Sequence, residues 1–216
     1  FIFKSRSPSS GMERVKLYDR HGAPRKKGVG IFARAFMEHF PLLPVEEEGR
    51  LHDPRLRENF IESIFVMRRW RRVLDRGAEA QDVVDFHTRH KLLLMAHSVE
   101  LYRETGRLVA KAGDIDPQDL VRQYQALLLQ ALQLKPTVKK HINVLHHLLG
   151  YFKKHLSADE KKEMIDLIEH YRKGHLPLIV PVTMVNHFVR KYEQPYLQKQ
   201  VYLQPHPLEL KLRNHA

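Results

Sequence analysis

From Asp53 onward the chain is punctuated as a run of helices, and that punctuation restricts its fold more than any other feature. Asp53-Pro54 and Asp116-Pro117 each place an N-cap carboxylate before a Pro at the first helical position, where the missing N–H would have no partner anyway. Ser157-Ala-Asp-Glu160 has the spacing of a capping box, and Gly174 offers a left-handed stop after Lys173. Between these signals apolar residues recur every three or four positions. Met164, Ile165, Ile168 and Tyr171 form one stripe; Leu120, Val121, Tyr124, Leu127, Leu128 and Ala131 form another. The spacing predicts helices over about 55–75, 80–112, 117–134, 138–156 and 158–173, with a shorter one near Thr183–Lys191. The result is a helical bundle with no visible internal repeat.

The first fifty residues read differently. Phe1–Lys4 and Val15–Tyr18 have strand character, Lys26–Gly30 (KKGVG) reads as a Gly-bearing turn, Ile31–Phe40 as a helix, and LLPVEEEG as an extended stretch. Such βα alternation belongs to an α/β sheet domain, of which about fifty residues hold too little core to stand alone. The joint falls in EEEGRLHDP. The chain therefore divides into an α/β segment over 1–52, a connecting helix over 53–79 and an all-α domain over 80–216. The fold class is mainly α, with a truncated α/β piece in front.

Composition narrows the function. Lys and Arg number 37 against 25 Asp and Glu, a formal net charge of +12, with 15 His besides. Excess positive charge favours polyanions through counterion release, and nucleic acid is the usual cytosolic polyanion. No stretch has the length and apolarity of a membrane helix and no leader pattern is present, so the expectation is a cytoplasmic protein without a membrane role. The absence of Cys excludes disulfides, thiolate metal sites and cysteine nucleophiles from this chain.

The distribution of charge points to particular faces. Arg68, Arg69, Arg72 and Arg76 fall within an arc of about 100° on the first long helix, beside Trp70; they suit phosphates and intramolecular pairs with Glu58, Glu62 and Asp75 equally. On the 138–156 helix, Ile142, Leu145, Leu149, Phe152 and Leu156 make the buried stripe. Lys139, Lys140, Asn143, His146, His147, Gly150, Lys153 and Lys154 spread over about 140° of the other side with no acid among them. That side favours phosphate contact over a merely solvated surface, and Gly150 leaves room for a backbone, of RNA or of a neighbouring helix. Arg6, in the Ser/Pro turn, is a further cationic candidate. Two histidine groups, His87/His90/His97 and His141/His146/His147, lack the Glu-x-x-His partners of two-helix metal sites, so no metal is expected. Tyr151, Tyr171, Tyr192, Tyr196 and Tyr202 suit base stacking but sit at spacings that more often fill a core.

Several runs carry a family resemblance. FHTRHKLLLMAHS, YRETGRLVA, KKHINVLHHLLGYFKKHLSADEKKE, YRKGHLPLIVPVT and YLQKQVYLQPHPLELKLRN closely resemble the YbgA-type helical domain of bacteria, over roughly Ala80 to Asn214. Upstream, KSRSPSSGMERVK, GIFARAFMEHFPLLPVEEEGRL and DPRLRENFIE resemble the C-terminal part of the TudS-like thiouracil desulfidase domain, which is often fused to it. The fused proteins are implicated in removing sulfur from 4-thiouridine in tRNA, so the resemblance implies tRNA or another RNA as partner of the helical part. It also implies a [4Fe–4S] cluster in the complete family member, whose open iron takes the substrate's sulfur without redox chemistry. In the family the turn reads Ser-Pro-Ser-Cys-Gly, its Cys being one of three cluster ligands; here that position is Ser10, and the other two would precede Phe1. Ser7 matches the family's turn serine, for which the resemblance implies a catalytic hydroxyl and the bare sequence an ordinary turn residue before Pro8. No cofactor is expected in this chain, which by this reasoning is inactive alone. The alternative is a stabilising or protein-interaction bundle attached to a desulfidase of free thiopyrimidines, with no RNA role.

Overall fold

The capping signals act where the sequence places them. In a computed structural model, which describes residues 1–215, the Asp53 carboxylate accepts from the N–H groups of Arg55 and Leu56, opening α2 (Pro54–Leu74). Asp116 does the same for Gln118 and Asp119 at the start of α5 (Pro117–Gln133). Ser157 and Glu160 exchange bonds as a complete capping box on α7 (Ala158–Arg172), and Gly174 follows it with φ +74°. The chain is mainly helical, with a small α/β part at its N-terminus.

Two compact units divide between Ile64 and Phe65, inside α2. In the first, β1 (Ile2–Phe3) pairs in parallel with β4 (Glu46–Glu47), and β2 (Val15–Tyr18) pairs antiparallel with β3 (Pro24–Gly28) across a turn held by the Asp19 carboxylate. In the chain, α1 (Ile31–His39) follows β3 and precedes β4. The KKGVG stretch, expected as a turn, thus belongs largely to strand β3. Four of the five β3 residues are exposed, three of them the cations Arg25, Lys26 and Lys27, so no apolar alternation marks the strand, and its partner rather than its own composition fixes it.

The second unit is organised around α3 (Ala80–His97), which packs against α5, α6 (Val138–Tyr151), the short turn Val201–Leu203 and α4 (Val99–Val109). Consecutive Leu92, Leu93 and Leu94 are all completely buried, a pattern possible only for a helix covered on every side. Each such side chain contributes about 1.5–3 kcal/mol of transfer free energy. The remaining layer is formed by α7, α8 (Ile179–Lys191) and α9 (Pro195–Gln198). Near the C-terminus Arg213 donates to the Tyr202 carbonyl at 2.7 Å and lies over the Tyr202 ring.

Three helix bounds depart from expectation. The helix predicted over 80–112 breaks at Ser98, which is extended (φ −156°, ψ 121°): its N–H closes α3 on Leu94 O, while its hydroxyl accepts from Leu101 N–H and opens α4. A serine side chain that can replace a backbone partner makes such a break cheap. The predicted 138–156 helix ends at Tyr151, so Lys153 and Lys154 lie in the turn after it. Its buried stripe is His141, Val144, Leu145, Leu148 and then Phe152, with Ile142 and Leu149 only half-buried. The short helix begins at Ile179 instead of near Thr183, because Pro181 falls in its first turn, where a Pro is tolerated.

Candidate nucleic-acid interface

Helix α6 starts on Thr137, whose hydroxyl accepts from the Lys140 N–H, and turns its apolar side inward against α3, α7 and α8. That leaves Lys139, Asn143, His146, His147, Gly150, Lys153 and Lys154 exposed. None of Lys139, Lys153 and Lys154 forms an ion pair with a described carboxylate. The charges of α7 and α8 differ only in part: Arg172 and the following Lys173 pair with Glu169 and Lys191 pairs with Glu160 at 2.6 Å, whereas Lys161, Lys162 and Arg190 are exposed and form no ion pair with a described carboxylate. Unpaired exposed cations keep their full field for an external anion. Lys140 is the exception on α6. Its ammonium donates to the carbonyls of His97 at 2.5 Å and Lys135 at 3.1 Å, which caps the end of α3 and leaves it half-buried.

The α2 arginines separate in the same way. Arg68 and Arg72 are exposed and make no ion pair with a described residue, so they add uncompensated positive charge to this unit. Arg69 donates to Pro205 O at 2.6 Å and lies over the Phe65 ring, a tether between distant parts of the chain. Trp70 is core: its indole N–H donates to Gln125, and its rings contact Phe86 and Tyr124.

Most of the grouped histidines are built into the core. His90 stacks on Phe86 and donates to its carbonyl, His97 donates to Leu134 O, His141 bonds the Tyr202 hydroxyl, and His87 faces the Tyr124 hydroxyl at 3.4 Å. Burial pushes the His87 and His90 imidazoles down to about 4 and about 3. No group of three His, Asp or Glu able to hold a metal ion occurs among the described residues. Of the tyrosines, Tyr171 and Tyr202 are buried, Tyr192 donates to Glu160, and Tyr151 and Tyr196 stack on each other half-exposed. Lys91 of α3 lies over Tyr196, an association across three helices that no spacing in the sequence announces. An apolar groove of about 580 Å³ between α7 and α8 carries Glu160 and Glu163 at its rim, the wrong charge for a phosphate chain.

In the first unit the Ser/Pro turn lies against the N-terminus of α1. Pro8 O accepts from Ile31 N–H, and Ser9 O accepts from Phe32 and Ala33 N–H, so the turn's carbonyls occupy the helix's free donors. A side chain at Gly30 would place Cβ 2.2 Å from Ser9 O, which makes glycine obligatory for this approach. Glu47, buried, accepts from Met12 and Glu13 N–H and fixes the far side of the turn. Arg6 is exposed with φ +60°. Ser7 Oγ accepts from Ser10 N–H at 3.1 Å, and the Ser10 side chain is half-buried. A [4Fe–4S] cluster does not fit these residues: the chain has no thiolate, and a Ser10 hydroxyl is a poor partner for so soft a centre.

A basic helical module behind a short α/β segment built around a Ser/Pro turn is the class that these features define. Residues 91–207 match the family described as "Protein of unknown function (DUF1722)", more than half of the chain, and the chain belongs to that family. It is 31% identical over 152 residues to the uncharacterized protein YbgA of Escherichia coli (strain K12), covering 70% of this chain and 90% of that protein. Residues 1–48 match the 2-thiouracil desulfurase family, so a desulfurase-like segment precedes the YbgA-type domain. No solved structure matches the chain. Among the described residues no helix is long and apolar enough to cross a membrane.

Proposed function

We propose that the helical unit is an RNA-binding module, with tRNA as the expected partner, serving the desulfuration of thiolated uracil, 4-thiouridine in particular. The observation that carries this reading is the acid-free side of α6 and the turn after it, where Lys139, Lys153 and Lys154 stand exposed and unpaired beside Asn143, His146 and His147. Arg68 and Arg72 add exposed charge in the same unit, and the desulfurase-like N-terminal segment supplies the link to thiolated bases. The family's cluster chemistry is assigned to thiolates that this chain does not contain. Ser7 remains a turn residue with a hydroxyl able to donate, and no reaction step is derived from it.

The test is the salt dependence of tRNA binding. Each phosphate contact contributes just under about one unit of log–log slope, so Lys153→Ala with Lys154→Ala should weaken binding and flatten the slope by about one to two units. The melting temperature should hardly move, since both side chains are exposed. The control pair, Lys161→Ala with Lys162→Ala, removes equal charge from α7 near Asp159 and Glu163. Equal losses in both pairs reduce the effect to net charge, and no loss in either removes α6 from the interface. Activity on a free thiopyrimidine by a complete relative, with no tRNA affinity, would favour a purely stabilising role for the bundle.

A further inference from the structure

Beside the basic side of α6, a lysine, a histidine and two tyrosines from three helices meet without a carboxylate among them. Lys91 of α3 holds its ammonium 4.8 Å from the centre of the Tyr196 ring, on α9. Tyr196 stacks on Tyr151, the last residue of α6, with centroids 5.5 Å apart and planes 23° from parallel. One turn earlier His147 sets its ring against Tyr151 at 5.5 Å and 75°. Lys91 is half-buried, yet makes no ion pair with any described carboxylate. The Tyr196 hydroxyl is buried, and the neighbour it reaches is the Tyr151 hydroxyl, which is itself pushed up by burial.

The setting of Lys91 is unfavourable for the isolated protein. A half-buried ammonium without a counter-charge loses hydration and gains only an aromatic face, worth about 0.5–1 kcal/mol or somewhat more when desolvated. The protonation states agree with this. Burial, then the Lys91 charge, holds the His147 imidazole below its ordinary value, and burial pushes the Tyr151 phenol up. At neutral pH the cluster presents one cation, an imidazole and phenolic O–H groups, with no anion. A set of donors around a fixed positive charge is complementary to an oxyanion.

We propose that Lys91, His147 and Tyr151, with Tyr196 as the platform that holds the ammonium, form a binding site for the phosphoryl group of a nucleotide. The inference rests on the RNA reading for its ligand: the site adjoins the exposed positions His146, Gly150, Lys153 and Lys154, so a strand following that side presents a phosphate to Lys91. A free mononucleotide carries the same group, and the measurement separates the two sources.

Fluorescein-labelled oligouridylate and unlabelled uridine 5′-monophosphate are titrated into the intact chain, the first followed by anisotropy and the second by calorimetry. Lys91→Gln should weaken oligouridylate binding about tenfold and flatten its salt slope by just under one unit, whereas Lys91→Arg should retain most of the affinity. Tyr151→Phe, which keeps the stacked ring, should lose about threefold. A folded Lys91→Gln chain that binds oligouridylate as the parent does overturns the site, while Lys153 and Lys154 can still carry the RNA reading. If Lys91→Gln fails to fold, Tyr151→Phe decides, and unchanged binding overturns the site. Monophosphate binding that depends on Lys91, with no affinity for oligouridylate or tRNA, keeps the site and defeats the RNA reading. Binding of neither probe defeats both.

Discussion

The two units of this chain are held together in different ways. From Phe65 onward most of the large apolar side chains are inside, Trp70, Tyr124, Val144, Leu148 and Phe152 all 2% exposed or less, while Leu134, Ile165, Leu208 and Leu210 are the exposed ones. In the first unit Phe3 and Ala33 are buried, but Phe1, Ile31, Phe32 and Phe40 remain 43–83% exposed. Its rings Phe1, Phe3, Phe32, Phe36 and Phe40 cluster at a half-open surface, and hydrogen bonds add the rest: Glu47 to the backbone of Met12 and Glu13, Arg50 to Glu46 and Glu13, and the Ser/Pro turn to the first amides of α1. Burial drives cooperative folding, whereas hydrogen bonds add little net free energy and mainly select among compact forms. One unit is a packed body, and the other combines a small, half-open aromatic cluster with a dense set of hydrogen bonds.

The largest effect expected from this contrast is all-or-none. A chain beginning at Asp53 should keep a cooperative thermal melt with strong helical circular dichroism, whereas residues 1–52 alone should show no cooperative transition. A weak or non-cooperative melt of the longer piece would mean that the first unit supplies core. Next come single side chains, measured by denaturant titration. Trp70→Ala should cost about 3–5 kcal/mol, since it opens a cavity among Phe86, Tyr124 and Gln125. Phe32→Ala, at 46% exposure, should cost less than about 1 kcal/mol.

A smaller and more graded difference lies in the response to acid. His87 and His90 are neutral in the fold, held at about 4 and about 3 by burial, against an ordinary 6.5. The unfolded chain therefore binds more protons between those values. Stability of the helical unit is fully present above about pH 6.5 and falls as the pH drops toward about 4 and then 3. In the first unit, the Ser5 N–H and then Lys4 hold the Glu48 carboxyl below its ordinary 4.5, so its contribution is lost only below that value. Melting temperatures of the full chain at pH 7 and pH 5 check this. A drop that His87→Phe does not reduce would remove His87 as a source of the acid response.

Much of the helical unit is legible in the sequence because its determinants are local. Asp53, Asp116 and Ser157 cap helices through amides two or three residues away, and Gly174 needs only its own backbone freedom. Residues whose roles depend on distant partners are not legible. Lys139 and Lys140 are neighbours in one basic run, yet His97 O, on another helix, makes only the second a structural cap. Ser98 reads as part of an apolar-periodic segment until its hydroxyl is seen to serve α4. Lys91, Tyr151 and Tyr196 meet only in the assembled bundle. Within the site, the sequence identifies which side of α6 is cationic; it does not identify which cations are already engaged.

Gly150 carries a last consequence. It sits inside α6 on the exposed side, and a Cβ built there meets nothing within 4 Å. Among the described residues no neighbouring helix requires its bareness, so Gly150→Ala should raise stability by roughly 0.4–1 kcal/mol through loss of unfolded-chain freedom. If a ribose-phosphate strand runs along that side, the same methyl group stands in its way. Heat resistance and RNA retention would then move in opposite directions on a single substitution: variants selected for thermal tolerance would drift to alanine at this position, and variants selected for grip on RNA would return to glycine.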